Sequence, residues 1–224
     1  EPYIISYYPG GIQEEKVKKS GIKYFCLNKK GKYDISFLIH LILKIRTIDP
    51  DIIYTFLATS NLLSILLKPI FYRKKYIWSL RDTYHTNKKI ISSIIHTFLK
   101  YFSYLIPDLI IANSFAGRKS YINYGYEKDK ISVISNGIDL DVFNYNPAKR
   151  KAFRKKNGFD EKIILIGIIG RFAEMKGHKD FLLASKNISK IENNCRFLIV
   201  GNGSKKEMGK IVDLINQLNM EDKV

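Results

Sequence analysis

Short apolar runs alternate along this chain with longer stretches in which apolar residues recur every three or four positions. The runs are typical of strands buried in a parallel sheet, and the longer stretches are typical of helices that cover such a sheet. The pattern predicts strands at 22–27, 51–56, 75–80, 108–112, 131–134, 162–168 and 196–200, and helices at 35–48, 61–70, 90–105, 115–123, 179–191 and 205–218. This alternation indicates an α/β protein built on parallel sheets.

A turn-rich segment interrupts the alternation after the fifth predicted strand. Asn136-Gly137 favours a turn, and Asn157-Gly158 favours the end of a short basic helix. We therefore predict a first domain at 1–135, a connector at 136–160 and a second domain at 161–224. The chain begins at Glu1 and not at a methionine, and the second domain has only two predicted strands, fewer than a doubly wound sheet needs, so we expect a fragment that lacks both ends of a longer protein.

The composition is that of a packed globular protein with a strong positive charge. Hydrophobic residues make up 46% of the 224, which excludes a disordered chain, and the formal net charge is +17. A charge of this size favours an anionic partner such as nucleic acid, acidic lipid or a phosphorylated small molecule. A genome rich in lysine codons would produce the same charge without any such partner.

Basic residues cluster in the predicted first domain. The clusters are Lys16, Lys18 and Lys19, then residues 73–75, then Lys88 and Lys89. They are either solvated surface or a patch for reversible adhesion to an anionic membrane, worth about 1 kcal/mol for each basic residue near the lipid. The longest uncharged run, residues 52–67, is shorter than a membrane-spanning helix requires.

The most informative segment joins the predicted strand 162–168 to the predicted helix 179–191. It contains Gly170-Arg171 and, further along, Lys176-Gly177. A loop in this position lies at the carboxyl edge of a parallel sheet, where open α/β folds bind ligands, and beside a helix N-terminus with unpaired N–H groups. A planar arginine fork and a lysine point charge there favour a diphosphate ligand. The alternative is a loop in which both cations are solvated.

A glycine-rich turn follows the next predicted strand. Gly201-Asn202-Gly203 would let the backbone approach a ribose or a phosphate closely, although the same residues also form ordinary turns. Lys206 stands where a G-x-G-x-x-G fingerprint needs its third glycine, and no G-x4-G-K-[ST] sequence occurs. The sequence therefore disfavours a dinucleotide-binding fingerprint and a P-loop ATPase.

Together these segments resemble glycosyltransferase family 4 of the GT-B fold. The resemblance rests on residues 170–177, on residues 200–203, and on residues 134–143, which are similar to the interdomain segment of the family. It implies two Rossmann-like domains, the second incomplete here, with a nucleotide-diphosphate sugar on the C-terminal domain and the acceptor on the N-terminal one. It also implies a glycine-rich loop before Glu1 and an E-x7-E segment after Val224.

The resemblance also implies roles for individual residues. Arg171 and Lys176 would be catalytic, because they would neutralise the diphosphate of the donor as it leaves. Four glycines would bind the donor: Gly170, Gly177, Gly201 and Gly203. Members of the family retain the anomeric configuration without an obligatory divalent metal, so we expect no metal and no cofactor other than the donor substrate.

Two further candidates, Arg81 and Asp82, follow the predicted strand 75–80. We expect them to touch the acceptor or to line the cleft, and a structural ion pair is the alternative. Many members of the family have a histidine where Arg81 stands, so the resemblance is weaker at this position.

The function expected from these features is retaining transfer of a sugar from a nucleotide-diphosphate sugar to a saccharide or lipid-linked acceptor. Such an enzyme would serve the synthesis of a cell-surface polysaccharide or a glycolipid, in the cytoplasm and, through its charge, at the inner face of the cytoplasmic membrane. A sugar-nucleotide epimerase is an alternative within the same fold. A non-catalytic nucleic-acid-binding protein is an alternative from another class, but the sequence has no recognisable nucleic-acid-binding module.

Overall fold

Strands and helices alternate through the computed structural model, which describes residues 1–11, 13–31, 34–82 and 90–224. The described residues divide into two units, Glu1–Ile138 and Asp139–Val224, and this division falls inside the predicted connector. The functional domain limits 1–135, 136–160 and 161–224 stay a prediction. No helix in the described ranges combines the length and the apolar character needed to cross a membrane.

The first unit contains these elements in chain order: β1 (Tyr3–Ser6), α1 (Glu14–Lys19), β2 (Lys23–Cys26), α2 (Ser36–Ile48), β3 (Ile52–Phe56), α3 (Leu57–Leu67), β4 (Lys75–Leu80), α4 (Ile90–Phe102), β5 (Leu109–Ala112), α5 (Phe115–Tyr124) and β6 (Ile131–Val133). The second unit contains α6 (Pro147–Lys156), β7 (Ile164–Ile169), α7 (His178–Ile191), β8 (Cys195–Val200) and α8 (Lys205–Gln217). Every strand pair among the described residues is parallel, which confirms the α/β class.

The apolar pattern missed two elements at the start of the chain and misplaced the start of a third. Helix α1 has one apolar residue, Val17, so it shows no helical period, and β1 has only four residues. Helix α3 begins at Leu57 and not at residue 61, directly after β3. The chain makes this sharp change of direction at Leu57, which has a positive φ of 72°.

The strands of the first unit form two sheets, β1-β2 and β3-β4-β5-β6. Between them lies a slot of about 310 Å³, lined by β1, β3 and apolar residues of α2 such as Leu41 and Ile45. In the described part of the chain, β3 pairs only with β4, so its other edge lies open along the slot. Unpaired backbone groups at such an edge are a template for a further strand.

The core of the first unit is built around Trp78 of β4, which is completely buried. Its indole N–H donates a hydrogen bond to the hydroxyl of Ser64 over 2.7 Å, and that hydroxyl donates to the carbonyl of Asn61 over 2.6 Å. Both partners are also completely buried. The polar edge of the large core residue is therefore satisfied by α3, which fixes this helix on the sheet.

Replacing Ser64 by alanine should lower the free energy of unfolding by about 1–3 kcal/mol, because the buried Trp78 N–H loses its acceptor. Urea unfolding followed by tryptophan fluorescence measures this change. The matched control is Ser132→Ala on β6, where the serine is exposed, and it should shift the free energy of unfolding by less than about 0.5 kcal/mol. Equal effects of the two substitutions would contradict the role of this hydrogen bond.

In the second unit, α7 and α8 pack against β7 and β8 around a small core. Its buried centre consists of Cys195, Phe197 and Met220. Helix α6 is tied to the start of β7 by the buried Arg154, whose guanidinium donates to the carbonyls of Asp160 and Ile163. These contacts fix the strands from which the candidate loops extend.

Candidate functional site

The two loops that follow β7 and β8 run side by side. The strands end in register at Ile169 and Val200. Beyond them, the N–H of Gly170 donates to the carbonyl of Val200 over 2.9 Å, and the N–H of Phe172 donates to the carbonyl of Asn202 over 2.7 Å. The hydrogen bonding of the sheet thus continues into both loops, so the structure brings the two predicted glycine motifs together.

The glycines of the second motif leave room for the first. A Cβ placed on Gly201 would lie 1.9 Å from the carbonyl oxygen of Gly170, and one placed on Gly203 would lie 2.6 Å from the Cβ of Phe172. Both distances are far below van der Waals contact. The sequence suggested that these glycines admit a ligand, and the structure supplies a second reason for them, which is the close packing of one loop on the other.

The side chain of Phe172 packs against the loop that follows β8, with a ring carbon 3.1 Å from a Cβ placed on Gly201. This side chain is buried, and its ring meets the imidazole of His178 edge to face with the centroids 5.4 Å apart. His178 is itself buried at the start of α7, and neither ring nitrogen has a hydrogen-bond partner among the described residues. A cavity of about 370 Å³ adjoins both rings and extends between α7 and α8 to Leu182 and Ile211.

Lys176 lies beside the end of β7. A single 3₁₀ turn, Glu174–Lys176, carries it back toward the strand, and Gly177 then begins α7 with a positive φ of 73°, a value that favours glycine. The Cγ and Cδ atoms of Lys176 lie 3.9 Å from a Cβ placed on Gly170. Since Arg171 directly follows Gly170 and both cations are exposed, the loop presents two positive charges at the edge of the sheet.

The charge of Arg171 also reaches the first turn of α8. There Ser204 and Glu207 form a capping box, in which each side chain bonds to the backbone N–H of the other residue. The N–H and the hydroxyl of Ser204 lower the pKa of the Glu207 carboxyl, and the nearby charges of Arg171 and Lys210 lower it further. Glu207 is therefore a fixed anion beside the loop, and it orders the helix that follows Gly203.

Arg81 and Asp82 lie in the first unit, directly after β4. The carboxylate of Asp82 accepts a hydrogen bond from the hydroxyl of Tyr121 over 2.5 Å, and the carbonyl of Arg81 accepts one from the side chain of Asn113 over 3.2 Å. The guanidinium of Arg81 lies 5.8 Å from the ring centroid of Phe56. Both residues thus have contacts that hold the end of β4 in place.

The structure gathers six of the eight predicted site residues around the ends of β7 and β8. Sequence reasoning missed two neighbours that shape this place, Phe172 and Glu207. Glu207 had a readable signal, because Ser204-x-x-Glu207 is the pattern of a capping box. Phe172 had none, since its contacts with residues 201–203 appear only when the two loops are side by side.

Two family models cover almost the whole chain. The model of Glycosyltransferase Family 4 matches residues 1–142, and the model of Glycosyl transferases group 1 matches residues 149–224. The chain belongs to glycosyltransferase family 4. The boundary between the two matches falls in the same region as the division between the two units of the structure.

Curated relatives are similar over all or half of the chain. An uncharacterized glycosyltransferase of Methanocaldococcus jannaschii is 28% identical over 242 aligned residues, which cover 100% of this chain and 57% of the relative. The processive diacylglycerol alpha-glucosyltransferase of Acholeplasma laidlawii is 30% identical over 102 residues, 46% of this chain and 30% of the relative. The chain thus spans little more than half the length of the relative that it matches throughout.

Solved structures show the GT-B fold. HepE of Anabaena, in its complex with UDP, superposes with a TM-score of 0.81 at 16% identity and covers 100% of this chain and 68% of HepE. A glycosyltransferase of Rickettsia africae superposes with a TM-score of 0.70 at 21% identity, covering 99% of this chain and 58% of the other. The chain therefore has the GT-B fold that its motifs imply.

Proposed function

We propose that the intact protein is a retaining glycosyltransferase that moves a sugar from a nucleotide-diphosphate sugar to a saccharide or lipid-linked acceptor. The observation that carries the proposal is the loop after β7. It presents Arg171 and Lys176 together at the carboxyl edge of a parallel pair of strands, where the N-termini of α7 and α8 also lie. Retention of the anomeric configuration rests on membership of the family.

The two cations suit the leaving group of this reaction. When the bond between the anomeric carbon and the diphosphate oxygen breaks, its electron pair stays with the nucleoside diphosphate, whose negative charge grows. Arg171 can hold two phosphate oxygens with its planar fork, and Lys176 can add a point charge. Because this stabilisation is greatest when the charge is fully developed, it lowers the barrier and does not merely bind substrate.

The glycines would bind the donor through backbone atoms. Gly201 and Gly203 are exposed, so a nucleoside or a phosphate can approach them from the solvent side while the other loop packs on the opposite side. Gly170 and Gly177 would contact the donor through their backbone atoms at the two ends of the loop that contains Arg171 and Lys176. We propose a UDP-sugar as the donor, because HepE binds UDP and UDP-glucose on the same fold.

The acceptor side is assigned from position in the fold. We assign Arg81 and Asp82 to the acceptor or cleft surface because they follow a parallel strand at its carboxyl end, where this class of fold binds ligands. A relative in Acholeplasma laidlawii is named for a diacylglycerol acceptor, which supports a lipid-linked acceptor here. We further propose that the protein acts at the inner face of the cytoplasmic membrane, in the synthesis of a cell-surface polysaccharide or a glycolipid.

The test is transfer by the intact protein from UDP-glucose and other UDP-sugars to lipid and saccharide acceptors. We expect release of UDP that depends on the acceptor, and a product whose anomeric proton shows the configuration of the donor by NMR. An inverted product would contradict retention. The nucleic-acid-binding alternative would replace the proposal if the protein consumes no nucleotide sugar but lowers the gel mobility of a random oligonucleotide in a salt-dependent way.

A further inference from the structure

Helix α4 exposes an apolar face to solvent. Five large apolar side chains, spaced along this face at helical intervals, have between 52% and 80% of their surface accessible. They are Ile90, Ile91, Ile94, Phe98 and Tyr101. Tyr104 and Leu105, just beyond the helix, are equally exposed. Soluble proteins rarely expose a continuous apolar stripe of this kind unless it binds something.

The opposite face of α4 fixes the orientation of this apolar face. Leu99 is completely buried in the cluster around Trp78. His96 is also buried, and its Nδ1 lies 3.2 Å from the hydroxyl of Tyr126. Rotating the helix to bury the exposed residues would break these contacts, so the exposed apolar face is a property of the folded unit.

The charges around α4 suit an anionic surface. Between Asp82 and Asp108 the sequence contains no Asp or Glu but has three lysines. One of them, Lys100, has its ammonium group 4.6 Å from the ring centroid of Tyr101. Lys130 donates to the carbonyl of Tyr104 over 2.6 Å. Two cations thus flank the C-terminal end of the apolar face. Glu127 and Asp129 lie in the same segment as Lys130, but neither Lys100 nor Lys130 forms an ion pair within the described residues.

The basic clusters singled out in the sequence are less suited to this role. Residues 88–89 lie outside the described residues, and three lysines of the other clusters are already neutralised by acidic partners. These pairs are Lys18–Glu14 at 2.6 Å, Lys74–Asp49 at 2.6 Å and Lys75–Asp108 at 2.8 Å. Charge alone therefore does not mark the membrane-facing surface, and the apolar face of α4 becomes the better candidate.

Helix α2 offers an informative contrast. It also exposes apolar residues, Ile39 and Leu43 among them, but Asp34 precedes its first turn. Hydrogen bonds from the Ser36 hydroxyl and the N–H of Lys30 lower the pKa of Asp34 to about 2, so this carboxylate is ionised and would repel an anionic lipid. Helix α2 also carries Lys44 and Arg46, so the two helices differ in the acidic residue that precedes α2 and in the number of large exposed apolar residues, which is two within α2 and five within α4.

We propose that α4 lies in the surface of an anionic membrane, with its exposed apolar face in the region between headgroups and acyl chains. The apolar side chains of Ile94 and Phe98 would enter the lipid, while Lys100 and Lys130 would reach lipid phosphates from the end of the helix. This inference names the surface for the membrane contact in the proposed function, and its biological meaning rests on that function. Its test does not depend on transfer activity.

The experiment measures sedimentation of the intact protein with phosphatidylcholine vesicles that contain about one-third phosphatidylglycerol. We expect Ile94→Glu to lower the partition coefficient roughly tenfold. The substitution removes a branched side chain that would enter the lipid and adds a negative charge, which the anionic lipid repels. The matched control is Leu43→Glu on α2, since Leu43 and Ile94 are each 52% exposed. It should leave vesicle binding within about twofold of the unsubstituted protein. Circular dichroism melts confirm that both variants are folded.

Salt separates insertion from simple electrostatic adhesion. At roughly half-molar salt, where charges are screened beyond a few ångströms, part of the unsubstituted protein should stay on the vesicles and Ile94→Glu should be released. Complete release of the unsubstituted protein, or equal loss in the two variants, would overturn the proposal. Equal binding of the unsubstituted protein to neutral and to anionic vesicles would also overturn it. So would an Ile94→Glu variant that still binds vesicles but is a monomer by light scattering where the unsubstituted protein is a dimer. In each case UDP release still reports separately on the transferase.

Discussion

Replacing Arg171 by alanine in the intact protein is expected to lower kcat/KM for sugar transfer roughly ten- to a hundredfold, and Lys176→Ala should do the same. A hydrogen bond to a charged group is worth about 1.5–3 kcal/mol, and each cation is expected to make its bonds to the leaving diphosphate. Because both serve one diphosphate, the double variant should depart from additivity. Arg171→Lys should not restore activity, since a point charge cannot replace the planar fork.

The structure indicates that these variants will fold. Arg171 and Lys176 are exposed, so their truncation leaves no cavity. Arg171 does help to lower the pKa of Glu207, but the N–H and hydroxyl of Ser204 contribute more, so the cap of α8 should remain without it. We therefore expect thermal melts to stay unchanged while activity falls.

The matched control is Lys190→Ala. Lys190 is an exposed lysine in the last turn of α7, the helix that begins directly after the cationic loop. It lies at the far end of that helix, so its removal should leave transfer within about twofold of the unsubstituted protein. If Arg171→Ala and Lys176→Ala also transfer sugar at the control rate with unchanged melts, the loop is merely solvated and the assignment of the donor site is wrong.

The position of this loop was predictable because it depends on local pattern. The apolar run before Gly170 has the character of a buried strand, and the spacing after Gly177 is that of a helix, so the loop between them had to lie at a strand end. Predicting that this loop contains two cations required only the sequence, and no knowledge of contacts between distant residues. The role of Arg171 and Lys176 in catalysis stays a prediction, whereas their placement together is now a feature of the structure.

What the sequence could not reveal depends on contacts between distant residues. The ion pairs Lys74–Asp49 and Lys75–Asp108 turn an apparent basic cluster into a largely neutral surface, and no periodicity encodes them. The exposed face of α4 was hidden for a related reason. Helix α4 is amphipathic with a wide apolar face, and its sequence does not show how much of that face the protein covers, so only the burial of Leu99 and the exposure of Ile94 distinguish the covered part from the bare part.

The second large effect is expected from substitution of a glycine that follows β8. Gly201→Ala should lower the free energy of unfolding of the second unit by about 1–3 kcal/mol or more, because its Cβ would lie 1.9 Å from the carbonyl oxygen of Gly170. A backbone atom cannot swing aside as a flexible side chain can. Relief requires the loop that contains Arg171 to move away from β8, so transfer should fall together with stability. Urea unfolding and transfer kinetics on the same preparations measure the two effects.

Gly209 supplies the opposite expectation within the same unit. It lies inside α8, and a Cβ placed there meets no atom within 4 Å, so Gly209→Ala should stabilise the helix by about 0.5–1 kcal/mol. Stability and UDP binding of the Gly201→Ala variant together show whether position 201 requires glycine for the packing of the loops or for the approach of the ligand. If Gly201→Ala unfolds at the same urea concentration as the unsubstituted protein yet no longer binds UDP, the residue serves the approach of the ligand and not the packing of the loops. If it loses stability even without UDP, the packing against Gly170 is the first constraint, and any contact with the donor is made on the side that this packing leaves open.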